Sequence, residues 1–265
     1  MEQERIAKRI ARAGLASRRE AERLIAERRV SVNGRVIDSP ALNVSDSDTI
    51  LVNGKPLAMA EPVRMWRYHK PSGLVTTTAD EKGRPTIFDR LPAELPRVMT
   101  VGRLDLNSEG LLLLTNDGDL KRRLELPSTG WVRKYRVRAK GVPKPEDFEP
   151  LRRGVTVEGQ VFKPMSVDLD RQQGANFWVT IGLREGKNRE IRRALESVGF
   201  SVNRLIRVSY GPFQLGELPR GSVEEIRPKT LRDQLGIKRQ PEGDAPAAAS
   251  RGPRVKRVAR PSPKK

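Results

Sequence analysis

The chain is 265 residues long, which is room for one medium-sized domain and one small domain, each with its own core. It has no cysteine and one histidine, so disulfides, thiolate metal sites, cysteine nucleophiles and the common zinc sites are excluded. Lysine and arginine number 52 against 33 acidic residues, a net charge of +19, and such an excess is typical of proteins that bind a polyanion.

Nucleic acid is favoured over an anionic membrane as that polyanion. No apolar run approaches the length that spans a membrane, and the N-terminal residues are charged where a signal peptide would be apolar. The basic segments also lack the bulky apolar face of a helix that lies on a membrane. We therefore expect a cytoplasmic protein without membrane contact.

Residues 1–60 are expected to form the small domain. Ile6, Ile10 and Ala13 lie on one face of a helix that ends near Gly14. Residues 17–20 match a capping box, in which the Ser17 hydroxyl and the Glu20 carboxylate each bind a backbone N–H at the start of a second helix. Short strands with Asn-Gly turns at 33–34 and 53–54 follow.

The charge of this small domain predicts a nucleic-acid contact. Ten basic and three acidic residues lie between residues 5 and 35. Arg18 and Arg19 occupy the first turn of the second helix, where the helix dipole disfavours cations. A phosphate bound at that helix start would offset this cost, because backbone N–H groups and both arginines would converge on it. A solvated basic face is the alternative for either arginine alone.

A candidate site lies in residues 101–120, VGRLDLNSEGLLLLTNDGDL. The apolar run 111–114 is too short for a typical helix and is bounded by glycine and a turn, so it predicts a strand buried on both faces. Arg103 and Asp105 precede this strand at the edge of the core, where a partly desolvated carboxylate requires a cationic or hydrogen-bonding partner. A capped turn with a surface ion pair is the simpler interpretation of these two residues taken alone.

Residues 131–139 alternate as a strand does, with a basic face that includes Lys134 and an opposite face that carries Tyr135. A core aromatic is the common role for such a tyrosine. Its cationic neighbours leave open a second role, in which the ring stacks on a nucleobase.

A second basic motif is REGKNREIRRALESVGF, residues 184–200. The spacing of its apolar residues predicts a helix from about residue 188 to a left-handed cap at Gly199. Arg189, Arg192 and Arg193 are expected to share one flank of that helix. Residues 182–188 superficially resemble a phosphate loop, but they are one residue short and lack the serine or threonine that binds magnesium, so this function is rejected.

We expect an α+β architecture with a mixed, largely antiparallel sheet and flanking helices. Further strands are expected at 63–68, 155–157, 161–169, 176–181 and 206–210, and short helices at 86–91, 119–124 and 143–153. Residues 251–265 hold seven basic and no acidic residues, which indicates a disordered arm with non-specific RNA affinity. We therefore divide the chain into a small RNA-binding domain at 1–60, a large domain at 61–238 and a basic tail at 239–265.

Three motifs in this order resemble those of a known family. Gly102-Arg103-Leu104-Asp105 and the following 107–110 are similar to the signature of pseudouridine synthases of the RsuA/RluB/RluE/RluF branch. Arg133-Lys134-Tyr135 resembles the tyrosine motif of that family, and residues 185–193 resemble its basic-helix motif. Residues 1–60 are similar to the small RNA-binding domain of ribosomal small-subunit protein four, and residues 188–190 and 203–226 look most like the RluB type.

The resemblance implies the pseudouridine synthase fold and an isomerase that uses no cofactor and no metal. Such an enzyme breaks the bond from ribose C1′ to uracil N1 and re-forms it to C5. The RluB type modifies large-subunit (23S) ribosomal RNA, so ribosomal RNA or a pre-ribosomal particle is the expected partner of a monomeric enzyme.

The resemblance also implies roles for individual residues. Asp105 would be the catalytic carboxylate, which either attacks C1′ or removes a proton from C2′. Arg192 would pair with it and keep it charged, and Tyr135 would stack on the flipped uracil and act as an acid or base at C5. The expected RNA-binding residues are Arg103, which would also fill the gap left by the flipped base, and Arg18, Arg19, Lys134, Arg189 and Arg193.

Two other functions use the same features. A non-catalytic ribosome-assembly factor would share the charge and the small domain, but it has no need for an Asp105–Arg192 pair. A nucleic-acid glycosylase would use a similar carboxylate but would have to activate water.

Overall fold

The computed structural model describes residues 3–236, so the basic tail predicted at 239–265 lies outside the described residues. The first part of the chain is a small domain with two helices beside short strands. Its elements are β1 (Glu4–Arg5), α1 (Ile6–Arg12), α2 (Arg18–Ala26), β2 (Val30–Val32), β3 (Arg35–Ile37), β4 (Asn43–Val44), β5 (Ile50–Val52) and β6 (Lys55–Pro56).

The small domain follows its sequence pattern closely. Ile6 and Ile10 are fully buried in a core that also contains the apolar face of α2, and Gly14 has the positive φ of +79° that ends a helix. The Ser17 hydroxyl accepts from the Glu20 N–H at 3.1 Å, as predicted. The Glu20 carboxylate instead accepts from Arg23, so the reciprocal half of the predicted capping box is wrong.

The large domain contains the remaining strands and helices. They are β7 (Met65–Lys70), β8 (Met99–Val101), β9 (Ser108–Thr115), α3 (Gly118–Glu125), β10 (Arg133–Lys140), α4 (Glu149–Arg153), β11 (Val155–Val157), β12 (Gln160–Phe162), β13 (Ser166–Gln173), β14 (Asn176–Leu183), α5 (Glu190–Ser197), β15 (Ser201–Tyr210), β16 (Phe213–Gln214), β17 (Val223–Glu225) and α6 (Pro228–Leu235).

A mixed sheet organises this domain in the order β13-β14-β10-β15-β9-β7-β17, with β8 on β9 and β16 on β15. Strands β9 and β15 run parallel, whereas their other neighbours are antiparallel. Helices α4 and α5 border one apolar cluster, and α3 and α6 border another. This is the predicted α+β class.

Strand β9 is buried along its whole length, as the apolar run predicts. Its third residue, Gly110, has φ +102°, and a Cβ built there would lie 2.3 Å from the Arg207 backbone oxygen on β15. A side chain at this position would therefore push the two parallel strands apart, and only glycine allows their close approach.

Several predicted boundaries were wrong for local reasons. The expected strand at 161–169 is divided into β12 and β13, with Pro164, which lacks a backbone N–H, between them. The expected helix at 143–153 is a 3₁₀ turn (Pro145–Phe148) followed by the short α4, and that at 86–91 is a 3₁₀ turn (Phe88–Arg90).

The small domain contacts the large one through α3. Lys8 lies 2.6 Å from the Asp119 carboxylate, and Arg18 lies 3.9 Å from it. Within residues 3–236, no helix is both long and apolar enough to cross a membrane.

Candidate active site

A cavity of about 510 Å³ lies where strands β10, β15 and β9 run side by side. Each strand, or the loop that leads into it, contributes side chains to its wall, and the segment before α5 covers another side. The charged and aromatic residues that line it include Arg103, Asp105, Glu125, Arg133, Tyr135, Lys187, Arg189, Glu190, Arg207 and Tyr210.

The first half of the loop at 102–107 is fixed by side chains from two other segments. The Gly102 N–H donates to the Glu125 carboxylate at 2.6 Å. The Thr76 hydroxyl donates to the Leu104 carbonyl at 2.8 Å and accepts from the Leu104 N–H at 3.3 Å. The residues just before Asp105 are therefore held on both sides.

The second half of this loop is held by Lys70, the last residue of β7. Lys70 is fully buried, and its ammonium donates to the carbonyls of Asp105 at 3.1 Å and Ser108 at 2.9 Å, with those of Pro71 and Leu106 also in reach. Burial lowers the pKa of Lys70 to about 8, whereas the negative charge of Asp105 acts in the opposite direction. At neutral pH the ammonium is thus mainly charged and binds the backbone at and after the half-buried Asp105.

Arg192 is buried at the base of the same loop, but it does not form the expected pair with Asp105. Its two terminal nitrogens donate to the carbonyls of Asn107 and Val202, both at 3.0 Å. Burial lowers the pKa of Arg192, and the charge of Asp105 raises it, so the two side chains interact only at longer range. The predicted direct ion pair is wrong, because both terminal nitrogens of Arg192 bind these carbonyls rather than the Asp105 carboxylate.

Tyr135 lies on β10, half-buried at the cavity wall. Two residues earlier, Arg133 donates to the Tyr210 hydroxyl at 2.9 Å and packs over the Tyr210 ring at 4.7 Å. The Arg133 guanidinium also donates to the carbonyls of Arg184 and Glu185, at 3.2 and 3.3 Å. Arg133 thereby joins β10, the end of β15 and the segment before α5.

Two glutamates stabilise that segment. Glu190, the first residue of α5, is 4% exposed, and its carboxylate accepts from the Lys187 N–H at 2.8 Å. Burial raises the pKa of Glu190 to about 7, and the neighbouring Glu185 carboxyl adds to this. Glu185 accepts from the Lys163 N–H at 2.7 Å and pairs with Lys187 at 3.0 Å.

The predicted RNA-binding residues are distributed over several surfaces. Arg103 and Arg189 line the cavity and are exposed. Arg193 instead donates to Val157 at 3.1 Å and pairs with Glu158 at 3.0 Å, so the expectation that Arg189, Arg192 and Arg193 share a flank is wrong. Arg189 lies before the first residue of α5, with a positive φ of 48°, and is not part of the helix. Lys134, Arg18 and Arg19 are exposed outside the cavity.

Sequence reasoning missed Lys70, Arg133, Glu190 and Arg207 as site residues. Arg207 offered a signal, because strand alternation from the apolar Leu205 places it on the same inward face. Lys70 offered less, since a lysine before a Pro-Ser-Gly turn is usually exposed. Among residues 3–236, no group of three or more histidine and acidic side chains is arranged to hold a metal ion.

The fold and cavity define the class of protein. A mixed sheet that presents three carboxylates, two phenols and several arginines to one cavity, beside a small basic domain, is an arrangement suited to an enzyme that acts on RNA.

Comparison with known proteins identifies the family. Residues 64–197 match the model for RNA pseudouridylate synthase, and residues 4–50 match that for the S4 domain. The chain therefore belongs to the RNA pseudouridylate synthase family of isomerases, and its N-terminal part is an S4 domain.

Similar proteins extend over most of the chain. An uncharacterized RNA pseudouridine synthase of Rickettsia felis is 47% identical over 231 residues, which are 86% of this chain and 99% of that protein. The ribosomal large subunit pseudouridine synthase B of Yersinia pestis is 42% identical over 230 residues, 84% of this chain and 72% of that protein. A crystal structure of a pseudouridylate synthase has a TM-score of 0.62 at 25% identity, and the match covers 87% of this chain and 99% of that one.

Proposed function

We propose that this chain converts one uridine of large-subunit (23S) ribosomal RNA to pseudouridine, with Asp105 as the catalytic carboxylate. The choice of RNA is supported by the similarity to the large-subunit synthase of Yersinia pestis. The choice of residue is supported by the loop at 102–107, where bonds from Thr76, Glu125, Lys70 and Arg192 fix the backbone around one cavity-lining carboxylate. Such a rigid support is what a reacting group requires.

The target uridine has to leave its base stack before C1′ is accessible, which costs a few kcal/mol that contacts in the cavity must offset. Tyr135 offers an aromatic face for the flipped uracil, and Arg103 at the exposed rim is suited to replace it in the RNA. Arg189 at the same rim, with Arg18, Arg19 and Lys134 outside the cavity, would bind backbone phosphates. In this proposal Arg193 supports the segment at 157–160 rather than the RNA.

The proposal also includes the organisation of the chain. Residues 1–60 would bind RNA, residues 61–238 would carry out the reaction, and residues 239–265 would add non-specific affinity. The enzyme would act in the cytoplasm as a monomer, on free ribosomal RNA or on a pre-ribosomal particle.

The test is the Asp105→Asn variant on ribosomal RNA labelled with tritium at uridine C5. Pseudouridine formation releases that tritium, so the variant is expected to release none while its RNA affinity stays near that of the wild type. Asp168→Asn, which changes an exposed carboxylate on β13, is the matched control and should retain full activity. Tritium release by Asp105→Asn would refute the role of Asp105, and an inactive wild type that binds RNA would indicate an assembly factor.

A second measurement distinguishes the two roles of the carboxylate. If Asp105 removes the C2′ proton, RNA with deuterium at C2′ reacts several-fold more slowly in a single turnover. If Asp105 attacks C1′, the deuterated and ordinary RNA react at similar rates. Abasic sites in the product would instead indicate a glycosylase.

A further inference from the structure

Arg207 is a buried cation without a counter-ion in the part of the chain that the structure describes. It is 2% exposed, and none of the acidic side chains in residues 3–236 forms an ion pair with it. Its Nε donates to the Leu111 carbonyl at 2.7 Å, and its guanidinium lies 5.3 Å from the centre of the Tyr210 ring. The nitrogen Nη2 is buried and has no hydrogen-bond partner among the described residues. A buried charge with an unused donor is costly, so a ligand is the natural partner.

The position of Arg207 within the sheet indicates which ligand this is. On β15, Arg207 is in register with Tyr135 on β10 and with Gly110 on β9, the strand that follows Asp105. Strand β15 lies between the other two, and Arg207 lines the same cavity as Tyr135 and Asp105. Arg207 therefore occupies the floor between the proposed base-stacking residue and the proposed catalytic carboxylate.

The other two buried cations near Asp105 cannot serve this purpose. The Lys70 ammonium is surrounded by four backbone carbonyls. Arg192 does not line the cavity, and its two terminal nitrogens bind carbonyls. Of these three cations, Arg207 alone combines a place in the cavity wall with an unpartnered terminal nitrogen.

We propose that Arg207 is a further catalytic residue, whose guanidinium binds the uracil base and stabilises the negative charge that the base acquires when the C1′–N1 bond breaks. This inference rests on the proposed function, but not on either role of Asp105. In both mechanisms the electron pair of the C1′–N1 bond leaves with uracil, whose charge spreads over N1, O2 and O4. When C5 bonds to C1′, that charge is used in the new bond. At the same time the Asp105 carboxylate leaves C1′ if it had attacked there, or the proton taken from C2′ returns to C2′ if Asp105 had removed it. C5 then loses its proton and N1 gains one.

A cation that is already in place and shielded from water stabilises such a developing anion strongly, because it does not need to reorganise during the reaction. The cavity supplies this environment, since Arg207 is covered by Tyr210 and by the backbone of β9. The flipped base would enter from the side of Arg103 and Arg189, which are exposed at the rim.

The test compares two leaving groups in the full-length protein. Large-subunit ribosomal RNA is transcribed with either uridine or 5-fluorouridine, whose base is the more stable anion. In the 5-fluorouridine arm C5 carries fluorine in place of a proton, so the C-linked product keeps the fluorine and its C6=N1 bond takes up water. The single-turnover rate is therefore that of total C–C-linked product, hydrated or not, measured by digestion and mass spectrometry, because C-glycosides do not lose ribose on fragmentation. Arg207→Gln is expected to be about 10²- to 10³-fold slower with uridine, as on removal of one preorganised donor, and at most about tenfold slower with 5-fluorouridine.

Two further variants complete the experiment. Arg136→Gln, an exposed arginine on β10, is the control and should react within twofold of the wild type on both RNAs. Arg207→Lys retains a cation, so its single-turnover rate is expected to fall less than that of Arg207→Gln. It replaces Arg207→Gln if a thermal unfolding measurement shows that Arg207→Gln does not fold. Its deficit should likewise be smaller with 5-fluorouridine.

Two results would overturn the role of Arg207: wild-type rates in the variants, or equal losses on both RNAs, which a purely structural residue would give. Failure of the proposed function has a different signature. In that case the wild type itself forms no C–C-linked product from the uridine RNA.

Discussion

The buried Glu190 gives a quantitative prediction about stability. Its pKa is raised from the ordinary 4.5 to about 7, first by burial and then by the neighbouring Glu185 carboxyl. Between these two pH values, Glu190 is therefore protonated in the folded chain but deprotonated in the unfolded chain. The resulting stabilisation is fully present below pH 4.5 and is lost as the pH rises through 7.

The perturbation is Glu190→Gln. Glutamine can accept the Lys187 N–H bond through its oxygen, and it stays neutral at every pH. Since one pKa unit corresponds to about 1.4 kcal/mol, the variant should gain about 2.5 kcal/mol over the wild type between pH 5 and pH 8. Most of this gain should occur between pH 5 and 7, with a slope of about 1.1 kcal/mol per pH unit.

The assay is urea unfolding of both proteins at pH 5, 6, 7 and 8. Glu196→Gln is the control, because Glu196 lies on the same helix but is exposed, and its difference from the wild type should change little with pH. A difference between Glu190→Gln and wild type that stays constant with pH would show that Glu190 is charged throughout. A variant that loses stability relative to the wild type as pH rises would refute the reasoning outright.

Further predictions concern the loop, the strand contact and the RNA. Lys70→Met should lower the free energy of unfolding by about 3 kcal/mol, measured in urea, because it leaves buried carbonyls without a donor; a loss below 1 kcal/mol would contradict this. Gly110→Ala should cost at least about 3 kcal/mol, since its Cβ would collide with β15 backbone, and wild-type stability would show that the strands can separate freely. Arg19→Gln should reduce the slope of log affinity for RNA against log salt by about one, and an unchanged slope would mean that Arg19 contacts no phosphate. Tyr135→Phe should bind RNA normally but release tritium more slowly; full activity would limit Tyr135 to packing.

Local sequence signals were sufficient for the elements around the site. The apolar run after Gly110 became the fully buried β9, and the alternation around Tyr135 became β10 with its basic outer face. The cap at Ser17 and the helix end at Gly199, with φ +88°, also follow from their own neighbours in sequence. These features depend on side chains within a few residues, so the sequence pattern contains them.

The partners of the charged residues were not predictable in this way. Arg192 binds Asn107 and Val202 rather than Asp105, and Arg193 turns to the β11–β12 hairpin. Helical spacing predicts one shared flank for Arg189, Arg192 and Arg193. Arg189 instead lies before the helix with a positive φ, and Arg193 pairs with Glu158 in the hairpin. A long side chain reaches many acceptors, and which of them is near depends on strands distant in sequence.

The sequence by itself determined most of the individual strands and helices, the basic small domain and the motif that contains Asp105, because hydrophobic periodicity and turn residues act over short distances. The tertiary structure decided that Lys70 and Arg192 hold the loop by its carbonyls and that Arg207 lies unpaired in the floor between Tyr135 and Asp105. The parallel pairing of β9 with β15 joins segments almost a hundred residues apart, as in the bond from Arg207 to Leu111, and no local pattern encodes such a contact.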